Sequence, residues 1–395
     1  MIPIEFLLFG AVLLGVALFH RHSLLIAVLG AATIALYKIL ASPFPAGAGL
    51  GGFAGHLRHE WVLLLNLLFL LLGFALLARH FEETRIPAVL PRWLPDNWMG
   101  GFVLLVLVFV LSSFLDNIAA AMIGGAVAHT VFRGKVHVAY LVGIVAASNA
   151  GGSGSVIGDT TTTMMWIAGV PARDVFHAYI AAGIALVVIG LPSARVQQRY
   201  SPIQKNPELG VTIDWTRTGV VASILLVAIT VNVLVNTRFQ DIASEYPFLG
   251  IAVAGGILAT APIRRPRWSL LRGALKGAIF LLSLVLCASM MPVDRLPAPS
   301  WHTAFGLGFL SSVFDNIPLT ALALQQGGYD WGVLAFAVGF GGSMLWFGSS
   351  AGVALTSQYP EGGSVWLWLR HGWFAVLAYV VGFFALFLLR GYHPG

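Results

Sequence analysis

Eight stretches of the chain, residues 4–19, 24–41, 61–78, 175–191, 219–235, 247–260, 270–291 and 366–389, are apolar over 14 to 24 residues. Few folds accommodate that pattern. About 20 apolar residues form a helix that crosses the hydrocarbon core, and in lipid only helices or closed barrels satisfy their own backbone hydrogen bonds. The shorter stretches draw flanking residues into the crossing. Charge content agrees, since only 10% of the 395 residues are charged against about 25% in a soluble domain. The chain reads as an all-α polytopic membrane protein, which excludes a soluble enzyme, a nucleic-acid binder and a disordered scaffold. Its formal charge of +6 then reports orientation in the membrane rather than an acidic partner. Cys287 is the single cysteine, so no intrachain disulfide or cysteine metal cluster is expected. Residues 1–19 offer Glu5 and no basic lead, and are expected to be a first span rather than a cleaved signal peptide.

Four further apolar stretches are interrupted by polar residues. Residues 101–132 carry Ser112-Ser113-Phe114-Leu115-Asp116-Asn117 at their middle. As one straight helix they would extend about 48 Å at 1.5 Å per residue, too long for a core of about 30 Å. Split at the polar patch, neither arm crosses. A re-entrant hairpin with its tip near the midplane fits, and residues 301–326 repeat it around Ser311-Ser312-Val313-Phe314-Asp315-Asn316-Ile317. Behind each hairpin comes a glycine-broken span. Residues 136–170 break at Asn149–Asp159, and residues 331–356 break at Gly341-Gly342-Ser343 through Gly348-Ser349-Ser350.

These pairs form an internal repeat. The two tips agree at five of seven positions with an offset of 199, and Gly151-Gly152-Ser153 with Gly158 matches Gly341-Gly342-Ser343 with Gly348 at an offset of 190. Residues 1–192 are expected to form the first repeat, residues 193–216 a cytoplasmic linker and residues 217–395 the second repeat. Each repeat holds three spans, a hairpin, a broken span and a final span. That layout has about ten full spans, two re-entrant hairpins and two broken helices. Five crossings per copy turn the second copy upside down, as in inverted-repeat transporters.

Positive charge tests the layout. With the N-terminus outside, one side collects 16 of the lysines and arginines and the other 6, and the richer side should be cytoplasmic. Treating both hairpins as ordinary crossings lowers the split to 14 and 8. Both termini are therefore expected outside, in a cell inner membrane.

Of 16 acidic residues, Asp116, Asp159 and Asp315 fall in polar breaks at membrane depth. An ionisable group there costs about 2.5–3.5 kcal/mol on insertion scales and marks a functional site by default. No lysine or arginine lies in any of the four breaks, which leaves a cation or a proton as the partner. The competing account is that each carboxylate caps a broken helix by accepting backbone N–H bonds. Three repeated acids set among Ser, Asn and Gly favour the cation. Hard cations take oxygens from carboxylates, hydroxyls, amides and backbone carbonyls. Ser112, Asn117, Asn149, Thr160 and Thr161 supply side-chain oxygens beside Asp116 and Asp159. Asp159 aligns with Ser349 and Thr160 with Ser350 at the 190 offset, so the first half holds two carboxylates and the second one. Asp116 and Asp159 are the expected exchanging acids, with Asp116, Asn117 and Asp159 as sodium ligands. Ser311, Asn316, Ser349 and Ser350 are expected to add neutral oxygens, and Asp315 to be largely structural.

Weaker signals are discounted. Gly49-x-Gly51-x-x-Ala54 loosely resembles a dinucleotide fingerprint, but no strand precedes it, and a loop is expected. His56 and His59 beside Glu60 are expected as interfacial loop residues rather than metal ligands. His129 is the nearest candidate for membrane-embedded enzyme chemistry and is expected to face the interface. Trp93, Trp98, Trp215, Trp268 and Trp301 lie near span ends as interfacial anchors.

The two Ser-Ser-x-x-Asp-Asn-Ile tips, the run from Asn149 through Gly-Gly-Ser-Gly-Ser-Val-Ile-Gly to Asp159-Thr-Thr-Thr-Thr, and Asp315-Asn-Ile-Pro-Leu-Thr320 resemble the ion transporter superfamily, and within it the NhaD-type sodium/proton antiporters. Gly154 and Val156 stand where that family carries a bulky residue and a proline. The resemblance implies that Ser112, Asp116, Asn117, Asn149, Asp159, Thr161, Ser311 and Asn316, with Ser349 and Ser350, serve cation and proton exchange. It also implies a homodimer with a scaffold part and a moving transport part. No cofactor is implied; sodium is the transported ligand, and lipid, sodium and protons are the partners. Burial favours a protonated carboxylate and a nearby cation favours the ionised one, so proton and sodium compete for the same acids. An arsenite or small-anion carrier on the same scaffold is the alternative.

The charge split and the odd crossing count predict opposite faces for the two hairpin openings. A cysteine placed in the connection at residues 133–135 should react with impermeant reagent only from the cytoplasm. One placed at residues 327–328 should react only from outside. Labelling of both from one side would rule out inverted hairpins.

Overall fold

A computed structural model describes residues 3–19, 22–89, 92, 94–204, 212–239 and 245–395. Arg21 and Lys205 of the charge count and Trp93 of the anchors lie outside them. Helix is the only regular secondary structure among the described residues apart from one isolated bridge between Phe44 and Gly47.

The first part comprises α1 (Ile4–Leu18), α2 (Ser23–Ala41) and α3 (Gly49–Glu83), then α4 (Trp98–Ser112) and α5 (Asn117–Val131) as a helical hairpin. After them come α6 (Val138–Ser153) and α7 (Thr160–Ile167), separated by a break, and α8 (Ala178–Tyr200). The same order returns in α9 (Trp215–Arg238), α10 (Phe248–Thr260), α11 (Leu271–Ser289), the hairpin of α12 (Trp301–Val313) and α13 (Asn316–Gln326), the broken pair α14 (Trp331–Gly341) and α15 (Ser350–Gln358), and the closing pair α16 (Val365–Gly372) and α17 (Phe374–Arg390). Helices α16 and α17 are bent by 56° at their junction. Among the described residues four helices are long and apolar enough to cross a membrane alone, or five if that bent pair is one span, with shorter apolar helices between them. All expected breaks appear as breaks.

Packing divides the helices into two bodies. One apolar core runs through α4–α8 and α12–α17, and two others run through α1–α3 and α9–α11. Contact between the bodies is concentrated where α13 lies on α11 and α7 lies on α3, with Met164, Ile317 and Ala321 joining the scaffold core. Helices α1 and α2 are apolar on both faces. Ala27, Ile34 and Phe9 pack inward, while Leu7, Leu25, Leu29 and Leu36 are exposed, as lipid-facing helices require.

Glycines let the broken helices close on the hairpins. A Cβ on Gly151 would lie 2.0 Å from Phe109 O and one on Gly158 2.0 Å from Ser112 O. In the second half, Gly341 meets Gly308 O at 2.3 Å and Gly348 meets Ser312 O at 2.5 Å. Gly154 faces the Tyr179 ring, which a Cβ would meet at 2.5 Å, so a bulky residue has no room there.

Three expectations are corrected. Residues 49–54 are not a loop but the first turns of α3; Gly52 packs its α-carbon on Gly47 O, where a Cβ would lie 2.1 Å away. His56 is consequently buried on a helix, bonded to Ser289 Oγ at 2.9 Å and packed on Phe44. The polar stretch from Pro192 does not begin a loop, because α8 continues through Pro192 to Tyr200. There Gln197 is buried and ties α8 to the preceding connection, accepting from His137 N at 2.8 Å and donating to Lys135 O at 2.9 Å. His129 is exposed and packs on Tyr359, as expected of an interface residue.

The glycine contacts predict a sharp contrast. Gly151→Ala drives a Cβ into backbone that cannot rotate away and should lower the melting temperature of the purified protein markedly. Gly183→Ala, in α8 with open space around it, should be neutral or stabilising by up to about 1 kcal/mol. Equal melting temperatures would show that α4 and α6 are not in close contact.

Candidate functional site

The four breaks meet at one place. Asn117 is the first residue of α5, Asp159 the N-cap of α7, Asn316 the first residue of α13 and Ser349 the N-cap of α15. Four helix N-termini thus face one buried cluster. Helix N-termini carry partial positive charge and free N–H donors, which suits a carboxylate better than any other side chain.

Asp159 is that carboxylate, 3% exposed. Its Oδ1 accepts from Thr161 N at 3.4 Å and from Asn117 Nδ2 at 3.5 Å. Its Oδ2 accepts from Thr161 Oγ1 at 2.9 Å and from Asn316 Nδ2 at 3.3 Å. Groups from both hairpins and from the broken span therefore converge on one acid. Gly339 of α14 closes the other side, where a Cβ would stand 3.6 Å from Oδ2.

Asn149 is the second centre. Its Oδ1 accepts from Asn117 Nδ2 at 3.2 Å, and its Nδ2 donates to Ser343 Oγ at 3.0 Å and Ser349 Oγ at 3.1 Å. One amide thereby joins α6 to both sides of the second break. Ser343 was not among the expected site residues. The signal for it was present, since it is the partner of Ser153 at the 190 offset.

Asp116 and Asp315 hold the N-cap positions of α5 and α13. Asp116 lies near enough to Asp159 for their charges to act on each other, and Asp315 acts on Asp159 likewise. Asp315 Oδ1 accepts from Ile317 N at 3.0 Å and Oδ2 from Ser350 Oγ at 2.9 Å, whereas Asp116 makes no side-chain cap bond. Capping and clustering prove compatible: Asp159 and Asp315 do both. A cavity of about 240 Å³ between the scaffold helices α1, α2 and α11 and the second hairpin reaches Asp315 and Ser350. A second cavity, about 360 Å³ and apolar, separates α12 from α13.

Other expected residues divide. Ser112 is fully buried at the first tip, and its Oγ has no hydrogen-bond partner, so its lone pairs remain available. Ser311 is turned away instead, donating to Val338 O at 2.7 Å. Thr160 is half-buried and makes no side-chain hydrogen bond to the cluster. Among the described residues, no three of His, Cys, Asp and Glu converge as transition-metal ligands, and no basic side chain enters the cluster's hydrogen bonds.

Broken helices, polar hairpin tips and buried unpaired acids in an all-helical apolar fold define a multi-pass membrane transporter. The family model described as "Citrate transporter" matches residues 7–341, and the chain belongs to that family. It is 27% identical over 341 residues to Sodium/proton antiporter 1 of Arabidopsis thaliana, covering 75% of this chain and 56% of that protein. It is 28% identical over 359 residues to the Na(+)/H(+) antiporter NhaD of Halomonas elongata, covering 74% of this chain and 68% of that protein. Sodium/proton antiporter 2 of Arabidopsis thaliana is 26% identical over 322 residues, with 72% and 74% covered. The NhaD-type resemblance read from the motifs agrees with these relatives. The chain thus spans about half the length of the first of them.

The geometry at Asn149 predicts a structural cost separable from transport. Asn149→Ala strips Asn117 Nδ2 of one acceptor and removes the side-chain donor to the buried Ser343 and Ser349 hydroxyls. Unsatisfied buried groups cost about 1–3 kcal/mol each, so the melting temperature should fall. Thr130→Ala, exposed and bonded only to Ala126 O, should leave it unchanged.

Proposed function

We propose that the chain exchanges sodium or lithium for protons across a cell membrane by alternating access, with cation and proton competing for Asp159 and Asp116. The observation that carries this proposal is the donor set of Asp159. The Asn117 and Asn316 amides and the N-terminus of α7, which could hold an anionic substrate, are already directed at a carboxylate belonging to the protein. A free anion would meet Asp159 where it needed positive charge. A small cation meets two deep acids without a basic partner.

The amides supply the coupling. With their nitrogens toward Asp159, Asn117 and Asn316 stabilise the carboxylate while no cation is bound. A half-turn of either amide exchanges nitrogen for oxygen and converts the same residues into cation ligands beside Asp159, Thr161 and the unpartnered hydroxyl of Ser112. A proton on Asp159 needs no such oxygens. Asp116, which bonds no hydroxyl as Asp315 bonds Ser350, is the second exchanging acid. Asp315 is the structural member, since Ile317 N and Ser350 hold its two oxygens while its neighbour Asn316 serves Asp159.

The same proposal takes residues 1–192 and 217–395 as inverted repeats joined by a linker, with about ten full spans and the two hairpins entering from opposite faces. Matched glycine–carbonyl contacts in the two broken pairs support it. The scaffold formed by α1–α3 and α9–α11 is the natural seat of a homodimer contact, in keeping with the resemblance.

Sodium-driven pH change in proteoliposomes tests the function, with lithium, potassium and arsenite compared. Asp159→Asn and Asp116→Asn should each reduce sodium-driven proton movement to background while the protein still folds and inserts. Asp315→Asn should retain turnover, with a weaker apparent sodium affinity. Wild-type rates in the first two variants would remove the assignment. An Asp315→Asn variant as inactive as the others would make the site symmetric. Transport of arsenite without proton movement would favour the small-anion alternative.

A further inference from the structure

A polar pocket of about 800 Å³ lies at the opposite end of the scaffold from Lys38 and Met290, lined among others by Glu83, Arg85, Asp214, Arg217, Arg265 and Arg267. Its walls come from the end of α3, the entry to α9 and the loop between α10 and α11. Backbone joins the first two, since Asp214 N donates to Thr84 O at 2.9 Å. Arg217 pairs closely with Glu83, Arg267 reaches Glu83 at 2.6 Å and Arg264 reaches Asp214 at 3.1 Å. Arg264 holds the Asp214 carboxyl below its usual range.

The network does not neutralise itself. Among the described residues around the pocket, Arg79, Arg85, Arg217, Arg264, Arg265 and Arg267 face Glu82, Glu83 and Asp214, an excess of three positive charges. Among the described residues the side chains of Arg85 and Arg265 make no ion pair or hydrogen bond, and both are exposed at the rim. Arg217 Nε is buried without a hydrogen-bond partner, with Asp214 Oδ2 3.8 Å away. Arg85 is also held at φ 63°, a left-handed conformation that is uncommon for a residue with a side chain.

Two tryptophans set the depth. Trp215 follows Asp214 and is 71% exposed, and Trp268 follows Arg267 and is 44% exposed. Exposed indoles at helix starts sit at headgroup level. Guanidinium groups match phosphate oxygens in a two-pronged geometry, and basic pockets between membrane helices take anionic headgroups. We propose that this pocket binds the phosphodiester headgroup of an anionic phospholipid, which ties α3 of the first half to α9 and the α10–α11 loop of the second. The lipid acts on the scaffold, and the proposal stands whichever ion is transported.

The test uses the full chain purified in detergent. Phosphatidylglycerol, cardiolipin, phosphatidylcholine of the same acyl length, and inorganic phosphate are added separately, with retention read by native mass spectrometry and stability by thermal melting. The wild type should retain the two anionic lipids at least about tenfold better than phosphatidylcholine, a difference of about 1.4 kcal/mol, and melt higher with them. Retention should fall with added salt. Arg85→Gln with Arg265→Gln, which breaks no ion pair, should abolish the preference. Arg265→Gln alone should weaken it and provides the reading if the double variant melts early. Equal retention of all three lipids, or an unchanged preference in the double variant, would overturn the proposal. So would a rise in melting temperature with inorganic phosphate equal to that with lipid, which would identify a free-phosphate site.

Discussion

A carboxylate buried without a basic partner is the constraint around which this molecule is arranged. Taking an ion out of water costs several kcal/mol even after relaxation, and Asp159 has no lysine or arginine to offset it. Hydrogen bonds to an ionised group are roughly twice as strong as neutral ones, and four helix N-termini add their partial charge. Neither source exists in an unbroken membrane helix. The breaks after Ser112, Ser153, Val313 and Gly341 are therefore the means by which the acid is tolerated. The glycines that let α6 and α14 lie on the hairpins bring those ends together.

The arrangement is stable but not closed. Asn117, Asn149 and Asn316 each carry both an N–H donor and an amide oxygen, and the proposed exchange turns these amides without moving a helix. Ser112 is already in place with an unused hydroxyl. The two cavities beside the second hairpin give its arms room. Helix α13 lies on α11, and α7 lies on α3, so the site sits where the two bodies meet. The charged pocket at the end of α3 braces the other body, where residues far apart in sequence must stay in register.

Much of the site was visible in the residues. Asp116, Asn117, Asn149, Asp159, Thr161, Asn316 and Ser349 do meet, because polar residues at membrane depth have few places to go and a repeat shows which of them correspond. Asp159 and Ser349, paired at the 190 offset, both cap a half-helix. What the residues could not show is direction. Ser311 occupies the place of Ser112 in the motif, yet the backbone at Val338 offers it an acceptor and turns it from the cluster. Thr160 and Thr161 are equivalent in one dimension, and only the turn of α7 puts Thr161 on the carboxylate.

Class and plan were determined by the sequence alone, since apolar length and scarce charge leave lipid as the only solvent for such helices, and interruptions in that pattern are costly enough to be meaningful. The extents of helices were decided by tertiary structure. Gly49 to Ala54 form helix because Gly52 can close on Gly47. Pro192 lies within α8, and buried Gln197 is satisfied by neighbouring backbone. His56 is buried because Ser289, 233 residues away, reaches it. The last two depend on partners distant in the chain, and a hydrogen bond between distant segments leaves no local signature in either one.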